Sequence, residues 1–552
     1  MADSSTNAQQ LERRLTQLMS LRLPHETVWH DCFQYLSPER ALGWYDTPIE
    51  SAGTTAQQQR SRIYDSTAID ASEVLKSNIA SWMTPDNSRW FSLDAGDEAD
   101  EMTAAWMDDC SQFLWEHIVS AGFGAVSAEC YGDIVPAGWC VLYTDEAKDS
   151  RGRVQGGFNF EQWPLNECYV ASTKPAGRID VIYRVFTMTV EQAAVEYGLE
   201  NLSTQVQQMH AAGKLSEKIQ MLWAIEPRQE GQYGAKLSKN MLFRSCHMER
   251  TTKKIVRESG YPEFPCAVPR WHLIPGTAYG TGKGSEVLPD VKTLNDIKRM
   301  ELMSLDVAVG GMWKAVDDGV LNPATVRIGP RKIVAMATLD SMAALETGAN
   351  FNVSFSKCEQ LQTSIRRTLM ADLLTPVGGP VRSATEIAQN ANQIRQLMAP
   401  LIGRFQSEFL QVIVERCFNI ALRAGAIQEY VGPVPDSLIQ TGGQYQVRYI
   451  SPLARSQKME EVNAIDAYVA GQAQLAAATQ DPTVMDGIKL DEASYEKGKA
   501  LGVPLGLLRG PKELAAKREM DNKAREEAQK QAQQAQVQQH AATTAIDAMA
   551  AA

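Results

Sequence analysis

The residues best placed by type and spacing to do chemistry are the run Gly276-Thr-Ala-Tyr-Gly280-Thr-Gly282-Lys283-Gly284-Ser285. A phosphate-binding loop, G-x-x-x-x-G-K-[ST], cradles phosphates with its backbone amides and offers its hydroxyl to a metal. This run departs from that pattern at two required places. Thr277 stands six residues before Lys283, and Gly284 takes the Ser/Thr position. No long apolar strand delivers the loop. A flexible joint between an N-terminal body and the next helix is the better reading. Hydrolase signatures are also missing: there is no H-E-x-x-H and no G-x-S-x-G. The seven histidines are dispersed, and the adjacent pair Cys246-His247 is more often structural than metal-binding. Asp108-Asp109 and Asp317-Asp318 are neighbours that point apart on any regular element. The expectation is no catalytic residue, no cofactor and no metal.

Cations gather modestly at Lys292, Lys298 and Arg299, and again at Lys357, Arg366 and Arg367. At helical spacing these form either a solvated, salt-bridged face or a charged wall beside a polyanion. Over the 552 residues, 54 basic side chains stand against 66 acidic ones, a formal net charge of −12. That balance argues against tight, non-specific nucleic-acid binding, which depends on neutralising phosphates. It is compatible with a protein that DNA must pass without sticking. The N-terminus MADSSTNAQQ lacks a signal-peptide pattern, and no segment approaches about 18 uninterrupted apolar residues. Nine scattered cysteines without a CxxC pair fit a reducing cytoplasm. A soluble intracellular protein of about three or four domains is expected.

The elements that must position these groups divide along the chain. All 11 tryptophans lie between Trp29 and Trp313. Helical spacing from Ala8 to Leu36, interrupted by Pro24, predicts two helices. Further helices are expected from Thr67 to Met83 and from Met102 to Ser120. Strand signals follow at Trp139 to Tyr143, Ile179 to Phe186, Met221 to Pro227, Lys239 to Met248 and Cys266 to Trp271. An α+β body therefore runs to about Gly284. Leu288 to Val309 is helical, Met312 to Asn352 is short and strand-rich, and Phe355 to Leu374 is helical again. Thr375-Pro-Val-Gly-Gly-Pro-Val381 cannot be helical. Ser383 and Glu386 form a capping box that starts a long helix, kinked near Pro400. From Gln457 onward the chain reads helical, ending in a Gln/Ala-rich tail from Asn522.

This order of parts resembles the portal, or head-to-tail connector, family of T7-like short-tailed phages. Three stretches carry the resemblance: WHDCFQYLSP (29–38), YGTGKGSEVLPDVKTLN (279–295) and GGPVRSATEIAQNANQIRQLMAPLIGR (378–404). The last, centred on Arg382-Ser-Ala-Thr-Glu386-Ile387, is the most specific. The resemblance implies an α+β portal fold with an α+β wing (1–284), an antiparallel helical stem (285–310 and 353–374) and a small β-rich clip (311–352). It further implies a tunnel loop (375–384), a long kinked helix returning to the wing (385–455) and a C-terminal helical crown (456–552).

In function, the resemblance implies a homo-oligomeric ring, usually of about twelve subunits, at one capsid vertex. That ring conducts double-stranded DNA during packaging and ejection. It docks the terminase motor, tail or adaptor proteins, and capsid and scaffolding proteins, with no membrane involved. Channel-facing candidates are Val377, Gly378, Gly379, Pro380, Val381 and Arg382 in the loop, and Lys292 and Arg299 on the stem. Helices packed at ~10 Å in a ring of about twelve leave an opening of about 28 Å, enough for duplex DNA. Two other readings stay open: a nucleotide-binding enzyme using Gly276–Ser285, and a non-portal virion or scaffold protein that assembles through its helical tail.

Overall fold

Pro24 does not divide the first helix. In the computed structural model, α1 runs unbroken over Ala2–Leu36 with Pro24 inside it. An internal proline removes one helical hydrogen bond and costs about 3 kcal/mol, so tertiary contacts on both sides of it must outweigh that loss. On the N-terminal side, Leu11, Leu15 and Leu18 are buried against a sheet. On the C-terminal side, Trp29 and Phe33 enter an aromatic core. Between them the buried Arg22 donates to the carbonyls of Leu165, Asn166 and Cys168 and to Glu26. The structure describes residues 2–41, 44, 58–94, 96, 100–148, 154–175, 177–235, 237–310, 313–315, 342–344, 351–374, 402–440, 446–449, 452–479, 487–501, 514 and 517–520.

The chain packs as two units, Met1–Asp86 with Glu116–Ala426, and Asn87–Trp115 with Ile427–Ala552. In the first unit, α2 (Thr67–Met83) and α3 (Phe123–Ala137) precede eight strands. These are β1 (Leu142–Lys148), β2 (Val154–Gln162), β3 (Cys168–Ala171), β4 (Val181–Thr189), β5 (Lys218–Pro227), β6 (Phe243–Glu249), β7 (Lys254–Tyr261) and β8 (Cys266–Ala267). Strands β3 to β7 form a five-stranded antiparallel sheet in sequence order, and β2-β1-β8 form a second sheet.

Side chains alternate across the larger sheet with the period of two that a strand imposes. Tyr183, Leu222, Ala224 and Met248 meet α1, while Ile182 and Ile225 turn to the opposite side. There Trp29, Trp44, Trp139, Tyr143, Trp163 and Tyr279 pack together. Four of the 11 tryptophans, Trp29, Trp44, Trp139 and Trp163, are buried in this core, and Trp223 packs against it.

The later helices of the unit include α4 (Lys283–Gly310), α5 (Phe351–Thr368) and α6 (Gln411–Arg423). The sequence predicts that α5 continues to Leu374, but it stops at Thr368. Met370 takes a left-handed φ of 59° before a last turn at Ala371–Leu374. Leu369, Met370 and Ala371 are all buried, and that burial offsets the roughly 1–2 kcal/mol that left-handed backbone costs a non-glycine residue. A π-helical turn, Gln406–Leu410, leads into α6 and carries Glu408, which takes the buried Arg270 in a bidentate pair.

In the second unit, Phe91–Asp94 pairs antiparallel with Gln446–Tyr449. Arg448 meets Asp94 at 2.6 Å across that ladder. The helices Pro452–Thr479 and Leu490–Leu501 are tied by Lys497 and Asp466 at 2.7 Å. The described chain is thus α+β, and no helix in it is long and apolar enough to cross a membrane. The expected clip is described only at Trp313–Ala315 and Met342–Ala344, which pair antiparallel. The expected capping box at Ser383 and Glu386, the kink near Pro400 and the tail from Asn522 lie outside the described residues.

Candidate functional site

The glycine run does not form a phosphate cradle. Gly280–Thr281 pairs with His272–Leu273 in a short antiparallel ladder, and Gly282 then presses on the end of α3. A Cβ on Gly282 would lie 2.8 Å from the Ile134 carbonyl oxygen and from the Gly138 Cα. One on Gly284 would lie 2.5 Å from the Pro136 carbonyl oxygen. Gly138 has a left-handed φ of 83°, and a Cβ there would run into the Thr281 carbonyl carbon. The expected flexible joint is therefore a backbone-to-backbone contact, which requires glycine for closeness. Lys283 is spent on Glu286 at 2.6 Å, and Ser285 donates to the Gly282 carbonyl at 2.8 Å. In the same α3, Asp133 is buried beside Arg40, whose Nε donates to it at 2.8 Å, and Gln162 donates to its other oxygen. Burial still pushes the Asp133 carboxyl up to about 6.

From this root α4 runs antiparallel to α5. Ser364 donates to Asp290 at 2.8 Å, and further along both helices Ser354 and Cys358 donate to Glu301. The Ser354 hydroxyl, with Lys298 beside it, holds the Glu301 carboxyl below its ordinary value. Asn295 clamps an incoming loop, accepting from the Tyr64 amide at 2.7 Å and donating to the Arg62 carbonyl at 3.1 Å. Gln362 of α5 donates to Asp65 at 2.7 Å. These polar ties orient the helix pair, and sequence reasoning did not single them out. A signal was present, since Asp31, Lys292 and Asn295 all fall within stretches that carry the family resemblance.

Of the expected channel residues, Val377, Gly378, Gly379, Pro380, Val381 and Arg382 lie outside the described residues. Lys292 donates to Asp31 of α1 at 2.5 Å. Arg299 stands 3.9 Å from Asp296 on its own helix, half exposed. The structure does not bring these two cations together on a shared ligand. Among the described residues no group of three His, Cys, Asp or Glu side chains is placed to hold a metal ion. A cavity of about 290 Å³ lies between α6 and the sheets, lined by Phe264, Val268, Glu408, Arg416 and Asn419 among others. Its carboxylates have structural work: Glu408 holds Arg270, and Glu263 accepts from Asn419 and Arg423.

The family model of the bacteriophage head to tail connecting protein matches residues 8–508. The chain belongs to that family. A probable portal protein of Bordetella phage BPP-1 is 25% identical, over 98% of this chain and 95% of that one. The portal protein of Salmonella phage epsilon15 is 24% identical, over 97% of this chain and 93% of that one. Among solved structures, the neck of an empty gene transfer agent particle aligns with 73% of this chain and 86% of that chain, at 11% identity and a TM-score of 0.35. A chain of the native gene transfer agent virion aligns with 75% and 89%, at 10% identity and a TM-score of 0.32. The connector is a portal protein of the virion, in a family that is structural rather than enzymatic and forms homo-oligomeric rings at the capsid vertex.

Proposed function

We propose that this connector closes into a ring of about twelve copies whose axial channel conducts double-stranded DNA during packaging and ejection. In this reading residues 1–284 and 385–455 form the wing, 285–310 and 353–374 the stem, 311–352 the clip, and 456–552 the crown. The loop 375–384, with Arg382, is the narrowest point of the channel. The ring is not itself an enzyme. It docks a terminase motor, which supplies the ATP-driven work, together with tail or adaptor, capsid and scaffolding proteins.

One observation carries the ring. Beyond Lys298, α4 exposes a run of large apolar side chains, Met300 58%, Leu302 51%, Met303 60% and Leu305 52%, with Phe355 of α5 at 61%. Exposed large apolar side chains gathered in one place mark an interaction surface, and a heterologous ring covers them with neighbouring copies. Charge agrees with a channel that must not grip, since about twelve copies at −12 each carry about −144 in total. The test is Met303→Asp with Phe355→Asp, read by mass photometry. The reading predicts that the unsubstituted chain forms large closed assemblies and that the variant shifts to monomers. Assemblies of unchanged size in the variant would contradict it.

A further inference from the structure

We propose that α5, and not α4, carries the DNA-facing cations of the channel wall, with Lys357 and Arg367 meeting the phosphate backbone. The proposal rests on the conduit reading above. Each cation of α4 already has a carboxylate partner within the chain. Lys283 pairs with Glu286 at 2.6 Å, Lys292 with Asp31 at 2.5 Å, Lys298 with Glu301 at 3.0 Å, and Arg299 stands 3.9 Å from Asp296. Helix α5 is different. It holds one carboxylate, Glu359, against Lys357, Arg366 and Arg367. All three cations are exposed, and among the described residues none has a carboxylate partner at ion-pair distance. In a chain of net charge −12 this is a local reversal of sign.

Helix geometry says where these charges point. Cys358, Leu361, Ile365 and Leu369 are buried and mark the face turned to the body. At about 3.6 residues per turn, Ser356, Gln360, Thr363 and Arg367 fall opposite that face, with Lys357 and Arg366 on its two borders. All four side chains of that outward face are exposed and none is a carboxylate; the helix's one carboxylate, Glu359, lies between this face and the Arg366 border, on the side away from Lys357. Lys357 and Arg367 are separated by about 15 Å along the axis, while duplex DNA presents a charge every ~1.7 Å. Both cations therefore find phosphates in any register. Phosphate contacts position a duplex without reading its sequence, which suits a surface that DNA of every sequence must pass.

The test compares two charge-matched pairs in particles assembled around the full-length protein. Lys357→Gln with Arg367→Gln should assemble normally, but DNA retained per particle should fall by about tenfold and depend less steeply on salt. Lys292→Gln with Arg299→Gln removes the same charge and should stay within about twofold of the unsubstituted protein. The charge-keeping pair Lys357→Arg with Arg367→Lys should restore retention, which a merely structural role would not require. If the double variant does not assemble, Arg367→Gln alone is read by the same criterion. Retention at the unsubstituted level at every salt concentration, or an equal loss in the α4 pair, overturns the proposal. Particles that package DNA equally well without this protein would instead overturn the conduit reading beneath it.

Discussion

Trp29 and Tyr279 meet edge to face with ring centroids 5.1 Å apart. They join the end of α1 to the segment that launches α4, and Asp31 and Lys292 repeat the junction at 2.5 Å two residues further along α1. The two links differ in worth. Trp29 is 3% exposed within the aromatic core, so Trp29→Ala should cost about 3–5 kcal/mol. The Lys292 side chain is 42% exposed, and Lys292→Ala should cost no more than about 1 kcal/mol. Urea unfolding of the two variants measures the contrast.

The glycine packing under α4 gives a second expectation. Gly282→Ala and Gly284→Ala each force a Cβ into main-chain atoms of α3 that cannot swing aside. Overpacking of this kind costs typically about 1–3 kcal/mol or more. At Gly276 nothing lies within 4 Å of the added Cβ, although φ is 79°. Gly276→Ala should therefore carry only the left-handed backbone cost of about 1–2 kcal/mol. Melting temperatures falling in the order Gly276→Ala, then Gly282→Ala and Gly284→Ala, are the expected result.

Much of this architecture was legible in the sequence. The strand run at Met221 to Pro227 and the helix from Thr67 to Met83 stand where their apolar spacing put them, whereas of the expected strand Cys266 to Trp271 only Cys266–Ala267 forms. Other elements were hidden for physical reasons. Helix α3 is buried along nearly its whole last half, so Cys130 to Ala137 shows no polar face from which a period could be read. Strand β2 carries Gly156-Gly157 near its start, and glycine is depleted in strands. Pro24 signals a helix break that α1 overrides through Arg22 and the core on either side. At the candidate site, the glycine run was visible as a motif, but its meaning depends on Ile134, Pro136 and Gly138, which no local pattern connects to it.

Arg22 offers a third test, because its guanidinium is the sole side chain bridging α1 to the carbonyls of Leu165, Asn166 and Cys168 among the described contacts. Arg22→Met keeps much of the volume over the Tyr169 ring but leaves three carbonyls and Glu26 without this donor. Breaking a buried charged network from one side costs about 3–5 kcal/mol. Arg22→Lys should recover only part of that, since an ammonium is a point charge and cannot reproduce the fork. Chemical denaturation of both variants checks the ranking.

Asp133 and His247 pull the pH dependence in opposite directions. Burial raises Asp133 from 3.8 to about 6. The folded chain therefore holds a proton there that the unfolded chain releases, and this stability is present at low pH and lost as pH rises through 6. Burial, with Arg257 and Lys148, lowers His247 from 6.5 to about 3. Its contribution is present above pH 6.5 and lost as pH falls toward 3. Between pH 4.5 and 7.5 the first effect amounts to about 2 kcal/mol and the second to about 3 kcal/mol. Asp133→Asn should make stability at pH 7.5 relative to pH 4.5 more favourable by the first amount. His247→Phe, which keeps a ring beside Trp223, should make it less favourable by the second. Urea titrations at the two pH values give both differences.

The central claim is that this chain works as a closed ring around DNA. Electron microscopy of the purified full-length protein tests it most directly. The account predicts closed rings of about twelve subunits with an axial opening of about 28 Å, wide enough for a duplex. Monomers at every concentration, open filaments, or rings too narrow to admit duplex DNA would contradict it.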